Sequence, residues 1–387
     1  MINFNVKILI VYHSGALRNA LAIYRAIAKI RNAELTVVLP EWIAVDRVYY
    51  PSGQLKVERE SDTHGYRLVP LPLEDPHNYN LGFKTGALLK VLRECRADIL
   101  HVWDEPVSYT LFQVAWLCVA FSRKSKVLFY GFQNIAPQWG TFARRTWKTT
   151  WTQIAGGAAA NSEVLSNLRC AGFPAGRPTE RIFWGIPTEL FKPMDKLKLK
   201  QDLTLDCDHI VGYVGRLVPE KGLRWLLAAM KELPANVHCL IIGSGSMREE
   251  IELLSDHPSL AGRVHVQDAK LAEELPRYMN CMDVLVLPSL TTAQWKEQYG
   301  RTLAEAMACG VPVIGSDSGA IPEVVGKAGL VVREGNVSGL AEGLRSAIFT
   351  EVRDRLILDG MRRAQAELSV EAMSSRLVSF YERVLMT

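Results

Sequence analysis

Two glutamates, Glu297 and Glu305, stand eight residues apart across the junction of a loop and a helix. The loop follows a strand ending at Pro288, and the helix is expected to begin near Gly300 and stop at Gly310, a residue suited to the turn after a helix. Glu297 then lies in the loop and Glu305 one turn into the helix, so the two carboxylates reach different parts of one ligand. The backbone N–H groups of Arg301 and Thr302, at the open start of the helix, face any phosphate lying between them. A sugar, a diphosphate and a ribose suit this spacing. Taken alone, two such glutamates are more often a solvated loop charge and an exposed helix residue.

A second group opens the same half of the chain. Between Gly212 and Gly222 a strand delivers Arg216 at its end and Lys221 where the next helix begins. Two cations beside a helix N-terminus neutralise a diphosphate, both when bound and when departing as a leaving group. In isolation, a surface Arg and Lys flanking a turn is the simpler account. Gly243 and Gly245 form a tight turn from a strand into a helix, a weak signal because the full G-x-G-x-x-G pattern is missing. Asp206 and Asp208 have D-x-D spacing, but they lack a partner ligand and sit just before a strand. A solvated turn accounts for them better than a metal site, and no metal is expected.

The elements that must position these residues follow one rhythm from residue 6 onward: a β-branched apolar run, a small or polar turn, then a segment of helical period. That rhythm predicts βαβ units and parallel sheets, an α/β fold. In the first half, strands are expected at 6–12, 34–39, 99–103, 127–130 and 158–160, with helices such as 19–30 and 81–94 between them. Pro187, Pro193 and the charged run 195–200 interrupt the pattern before it restarts at 209–215 and continues with strands at 237–242, 263–267, 284–288, 312–315 and 330–332. The expected division is a Rossmann-like domain over 1–186, a second over 187–365, and a C-terminal helix over 366–387 packing back on the first. Two such domains in tandem present a cleft facing both sets of strand C-termini.

Composition narrows the classes of function. At 387 residues and 48% hydrophobic, the chain is long enough for two or three domains with ordinary cores. A net charge of +4, from 45 Lys and Arg against 41 Asp and Glu, excludes a nucleic-acid-binding surface as the expectation. The seven cysteines are odd in number and scattered, without a CxxC pair, and read as reduced core residues of a cytoplasmic protein. The start of the chain reads as a buried strand and not a signal peptide. The longest apolar stretch, 107–121, falls short of the ~20 residues a spanning helix requires. Arg144, Arg145, Trp147, Lys148 and Trp151 place basic and indole groups on one short helix, as in proteins that rest on a membrane surface. Packing with a charged rim explains them equally well.

The stretch from Glu297 through Gly300 to Glu305, with Gly319 and Pro322–Glu323 downstream, resembles the E-x7-E signature of the GT-B retaining glycosyltransferases of family 4. Gly215, Arg216, Lys221 and Gly222 are similar to that family's G-R-x4-K-G element. The resemblance implies two Rossmann-like domains and transfer of a sugar from a nucleotide-diphosphate donor, with retention of configuration and without a metal or other cofactor. It implies that Arg216, Lys221 and the amides of Gly300, Arg301 and Thr302 hold the departing diphosphate. Glu297 would balance charge at the donor sugar, and Glu305 would accept hydrogen bonds from the ribose diol. Gly245 then borders the nucleotide. Lys270 lies in the loop that brackets the base, where Asp268 replaces the common glycine.

The first domain departs further from the pattern. After the first strand, His13 and Gly15 stand where the family often has two glycines, and Gln133 occupies the place of a frequent histidine. Gln133 can position a ligand but cannot titrate. Expected partners are a nucleotide-sugar donor and a glycan, lipid-linked or small-molecule acceptor, at the inner face of a membrane where the basic helix touches it, in envelope or polysaccharide assembly. A sugar-nucleotide epimerase or phosphorylase of the same fold, or a non-catalytic scaffold, are the rival readings.

Overall fold

The computed structural model describes residues 6–13, 18–30, 33–44, 54–57, 65–121, 124–136, 140–205 and 207–387. The chain divides into two compact units, Met1–Gly185 with Val370–Thr387, and Ile186–Ser369. Each is a parallel α/β sheet with its helices.

In the first unit the elements run β1 (Val6–Val11), α1 (Arg18–Lys29), β2 (Ala33–Pro40), a short hairpin of β3 (Trp42–Ala44) and β4 (Gln54–Lys56), β5 (Tyr66–Leu71), α2 (Thr85–Cys95), β6 (Ile99–Val102), α3 (Tyr109–Phe121), β7 (Lys126–Gly131), α4 (Thr141–Trp151), β8 (Ile154–Ala159), α5 (Ser162–Ala171) and β9 (Thr179–Arg181). The sheet order is β5-β2-β1-β6-β7-β8-β9. β1 is a near-continuous apolar run because both of its faces are covered. Ala20, Ile23, Tyr24 and Ile27 of α1 are buried at helical spacing. The C-terminal helix Val370–Leu385 packs on α1 and belongs to this unit. Its Tyr381 hydroxyl lies 2.7 Å from Nδ1 of His101, a ring pushed down to about 3 by burial and therefore neutral.

The second unit contains α6 (Lys196–Asp202), β10 (His209–Val214), α7 (Leu223–Met230), β11 (Val237–Ile242), α8 (Arg248–Ser255), β12 (Val264–Gln267), α9 (Leu275–Met279), β13 (Val284–Leu287), α10 (Arg301–Ala308), β14 (Val313–Ser316), α11 (Ile321–Val325), β15 (Leu330–Val332), α12 (Val337–Phe349) and α13 (Val352–Arg363), before the C-terminal helix, α14. Its sheet order is β12-β11-β10-β13-β14-β15. Strand order reverses at β10, between β11 and β13. A crevice at the strand C-termini is expected there in such sheets.

Several expectations require correction. The helix expected over 81–94 begins only at Thr85, because Tyr79–Leu81 form a tight 3-10 turn and Gly82, at φ +74°, reverses the chain. The strand expected at 158–160 begins at Ile154. Its glycines disguise it, yet they are demanded by packing: a Cβ on Gly157 would fall 2.0 Å from the Phe129 ring. β5 and β9 were not anticipated, since β5 contains Pro70 and lies at an edge, and β9 is three residues long. The charged run at 195–200 is not an interruption but a helix, with the Asp195 side chain accepting from the Lys198 N–H at 3.1 Å. All seven cysteines are free, but Cys170 is exposed and Cys95 and Cys207 are only half-buried, so the core reading holds for four.

Candidate functional site

In the second unit, the loops after β10 and β13 meet at the point where strand order reverses. Gly222, at φ +69°, lets the chain lie directly on the end of β13, where a Cβ would sit 1.9 Å from the Pro288 carbonyl oxygen. The Leu290 N–H donates to the Glu220 carbonyl at 2.8 Å and joins the two loops. This approach delivers Lys221 to Glu297, with Nζ 2.6 Å from Oε2 and both side chains almost enclosed at 12% and 10% exposure. The Ser289 hydroxyl donates to the same oxygen at 2.9 Å, and the Trp295 ring centroid lies 4.7 Å from the ammonium. A charge-assisted hydrogen bond and an aromatic face thus hold Lys221 in one place.

Arg216 follows β10 and is exposed. Its guanidinium lies 3.4 Å from Glu220, not against the Lys221–Glu297 pair. Behind it, the turn at Gly243 and Gly245 packs backbone on backbone: a Cβ at Gly243 would meet the Gly215 carbonyl oxygen at 1.9 Å, and one at Gly245 the Leu217 carbonyl oxygen at 2.3 Å. Lys270 rests 5.4 Å above the Tyr278 ring, while neighbouring Asp268 pairs with Arg248 at 2.6 Å.

Gly300, at φ +82°, starts α10 without a capping side chain. Glu305 follows one turn later and is 1% exposed. Its Oε1 lies 3.2 Å from Nε of Arg301, but its Oε2 has no hydrogen-bond partner among the described residues. Burial pushes this carboxyl up to about 7, against the opposing pull of the Arg301 guanidinium. Thr302 is half-buried in the same first turn. An enclosed carboxylate with an open acceptor oxygen is built to receive hydroxyl or N–H donors from a ligand.

The first unit gathers a different set at the ends of β1, β6 and β7. His13 Nδ1 lies 3.0 Å from Oδ2 of Asp104, and both side chains are about nine-tenths buried. Glu105 reaches under the next loop, accepting from the N–H groups of Phe132 at 3.0 Å and Gln133 at 2.9 Å. Gly131 makes room for it, since a Cβ there would stand 2.9 Å from the carboxylate. Burial pushes Glu105 up to about 7, and those two backbone donors oppose the shift. Gln133 is exposed at the rim. Gly15 lies outside the described residues.

Sequence reasoning missed Asp104 and Glu105, as well as Ser289, Trp295 and the pairing of Arg301 with Glu305. The signal available for the acids was their place directly after the apolar run of β6. Of the D-x-D pair, Asp206 lies outside the described residues, and Asp208 accepts from the Asn236 side-chain amide at 3.1 Å. Among the described residues, no group of three or more metal-binding side chains comes together. On α4, Arg144, Arg145 and Lys148 are exposed and Phe142 is 85% exposed. Trp151 corrects the surface reading, being fully buried with Nε1 donating to the Pro106 carbonyl at 2.8 Å. Among the described residues, no helix is long and apolar enough to cross a membrane.

Comparison with known proteins places these residues in a family context. Residues 208–348 match the family profile described as glycosyl transferases group 1. The capsular polysaccharide biosynthesis glycosyltransferase CapM of Staphylococcus aureus is 31% identical over 208 residues, 52% of this chain and 53% of that protein. A D-inositol 3-phosphate glycosyltransferase of Mycobacterium sp. strain KMS is 30% identical over 192 residues, 47% of this chain and 41% of that protein. The chain thus spans about half the length of the curated relatives it matches. HepE of Anabaena, solved in complex with UDP, superposes with a TM-score of 0.74 at 19% identity, covering 97% of this chain and 100% of that one. Sucrose-phosphate synthase from Thermosynechococcus elongatus superposes at 0.72 with 19% identity, covering 98% and 99%. At such identities these likenesses establish the shared fold, that of the GT-B proteins.

Proposed function

We propose that this chain, whose residues 208–348 match the glycosyl transferases group 1 profile, transfers a sugar from a nucleotide-diphosphate donor to a glycan, lipid-linked or small-molecule acceptor. The transfer proceeds with retention of configuration and without a metal, in polysaccharide or glycoconjugate assembly. The observation that carries this reading is the open carboxylate oxygen of buried Glu305, eight residues beyond Glu297 in the chain. A ribose diol supplies hydroxyl donors to that oxygen. UDP and UDP-glucose bound to HepE of Anabaena lend support for a donor of this class.

In this mechanism the bond between the sugar and the diphosphate loosens toward an oxocarbenium-like state. Arg216, Lys221 and the amides at the start of α10 hold the departing diphosphate, whose oxygen takes the acceptor proton. Glu297 faces the sugar hydroxyls and balances the positive charge that develops. Gly245 and Lys270 border the nucleotide, and His13 and Gln133 face the acceptor. The exposed Phe142, Arg144, Arg145 and Lys148 of α4 bring the chain to the inner face of an anionic membrane.

Thermal melting with a panel of UDP-, GDP- and ADP-sugars tests the donor assignment, because a ligand that binds only the folded state raises the melting temperature. One base is expected to give a clear shift that Arg216→Ala removes, and Glu297→Ala is expected to abolish transfer while the protein stays folded. No shift with any donor, or undiminished transfer by Glu297→Ala, overturns the proposal.

A further inference from the structure

At one side of the first unit's sheet, β2 and β5 end side by side, with Pro40 paired to Leu71. Beyond their C-termini the chain lines a partly open cavity of about 190 Å³, whose walls include Glu41, Trp42, Pro72, Glu74, Pro76 and Lys84. Its frame is held by main-chain hydrogen bonds: Glu41 N–H to the Leu71 carbonyl at 2.9 Å, Lys84 N–H to Pro72 at 2.9 Å, Glu74 N–H to Gly82 at 3.0 Å and Ala44 N–H to Pro76 at 3.1 Å. Trp42 is half-buried and propped edge-on against the His77 ring at 5.6 Å. The wall is therefore pre-formed, with two prolines stiffening it. Glu41, Glu74 and Lys84, which line this cavity, are exposed. Among the described residues none of the three is engaged in an ion pair.

The size and chemistry of the cavity select its occupant. Pockets for nucleotide- or drug-sized ligands run to ~300–1,000 Å³, so this one takes a single ring. Two carboxylates against one ammonium leave a net negative wall, which disfavours a phosphate or a carboxylate ligand. An apolar ligand would use none of the three charged side chains at the rim. A pyranose satisfies all of them: each hydroxyl donates to a carboxylate or accepts from an ammonium, and a C–H face of the ring lies on the indole. We infer that this cavity is a carbohydrate subsite for one neutral sugar ring of the acceptor. It lies at the same end of the sheet as His13, because β2 is the strand beside β1. The acceptor role, though not the sugar binding, rests on the glycosyltransferase reading.

The test uses the full chain and methyl α-glucopyranoside, methyl α-galactopyranoside and methyl α-mannopyranoside as probes, with saturation-transfer NMR reporting contact with ring C–H protons. At least one probe is expected to receive saturation, and the signal is expected to vanish in Trp42→Ala. In Glu74→Gln, which changes an exposed side chain and leaves the fold untouched, its apparent affinity should fall at least fivefold. With whichever acceptor supports transfer, both variants should raise the acceptor KM while kcat and the donor KM stay level. Absence of saturation with all three probes, or a signal that persists in both variants, overturns the inference. Binding that depends on Trp42 without any transfer sinks the glycosyltransferase reading and leaves the subsite standing. Transfer with an unchanged acceptor KM in both variants sinks the subsite alone.

Discussion

Glu305→Gln tests the most telling electrostatic feature of the second unit. In the wild type the carboxyl titrates at about 7 when folded against an ordinary 4.5, with burial as the main cause and Arg301 opposing it. The folded state therefore holds its proton through a pH range in which the unfolded chain has lost it. Stability contributed by this group is complete below pH 4.5, falls as pH rises, and is lost above 7. At ~1.4 kcal/mol per pH unit the loss comes to about 3 kcal/mol. A glutamine at this position leaves an imperfectly paired amide, but that cost is the same at every pH, so the difference between pH 5 and pH 8 isolates the carboxylate. The variant should gain about 3 kcal/mol relative to wild type on going from pH 5 to pH 8. For a unit of this length that corresponds to a melting temperature higher by roughly 6–12 °C. Scanning calorimetry across the range reads the effect directly. Nucleotide addition should then stabilise the wild type strongly and the variant weakly, since the diol finds no anionic acceptor in the glutamine. Parallel stability curves for the two proteins between pH 5 and 8 would refute the picture of Glu305 as a buried carboxylate short of a partner.

Lys221→Met should cost about 3 kcal/mol, the low end for breaking an enclosed ion pair, because Ser289 still donates to Glu297. Combining it with Glu297→Gln should recover much of that loss in urea titrations, whereas strictly additive losses would mean that the two side chains do not meet. Gly222→Ala combines a left-handed backbone, φ +69°, with a Cβ 1.9 Å from the Pro288 carbonyl. Calorimetry should show the second unit melting several degrees lower and the nucleotide-induced shift gone, and an unchanged melt counts against the close approach of the two loops. In the first unit, Glu105 titrates at about 7 when folded, so its contribution to stability likewise fades as pH rises from 4.5 to above 7. The amide resonances of Phe132 and Gln133, which donate to this carboxylate, should shift with a midpoint near that value in the wild type and stay flat in Glu105→Gln.

How much of this could be read from residues alone depended on how far apart in the chain the partners lie. Glu297, Gly300 and Glu305 fall within one loop and helix, so local spacing exposed them, and Arg216 and Lys221 share a single strand-end loop. The contact between Lys221 and Glu297 spans 76 residues and exists because two parallel strands end side by side, which periodicity cannot register. Asp104 and Glu105 look like an ordinary turn after β6. They become a site only when the loop after β7, 27 residues on, lays its amides over Glu105. The cavity at Trp42 stayed hidden for a further reason: its walls come from a three-residue edge hairpin and a proline-rich turn, neither of which carries an alternating pattern. From sequence β8 looks shorter than it is because its paired glycines resemble a loop, while the reason for Gly157 sits on the neighbouring strand at Phe129.

The two glutamates of the motif differ in how far the protein itself satisfies them, and this difference assigns their parts more sharply than the spacing does. Glu297 already has an ammonium and a hydroxyl on one oxygen, so it costs the folded chain little and holds Lys221 in position before any ligand arrives. Glu305 has one exposed guanidinium on one oxygen and, among the described residues, nothing on the other, a state that lowers the stability of the empty protein. A ligand that merely neutralised charge would gain nothing from Glu305, since its positive partner is already in place. One that brings neighbouring hydroxyl donors would relieve the whole deficit, and would draw the carboxyl back toward its ordinary range with release of a proton near neutral pH. Donor binding should therefore strengthen as pH rises toward 7 and level off above it, a dependence that Glu305→Gln removes. Titration calorimetry in buffers of different ionisation enthalpy measures that proton directly, and binding without proton release at pH 6.5 would take the ribose away from Glu305.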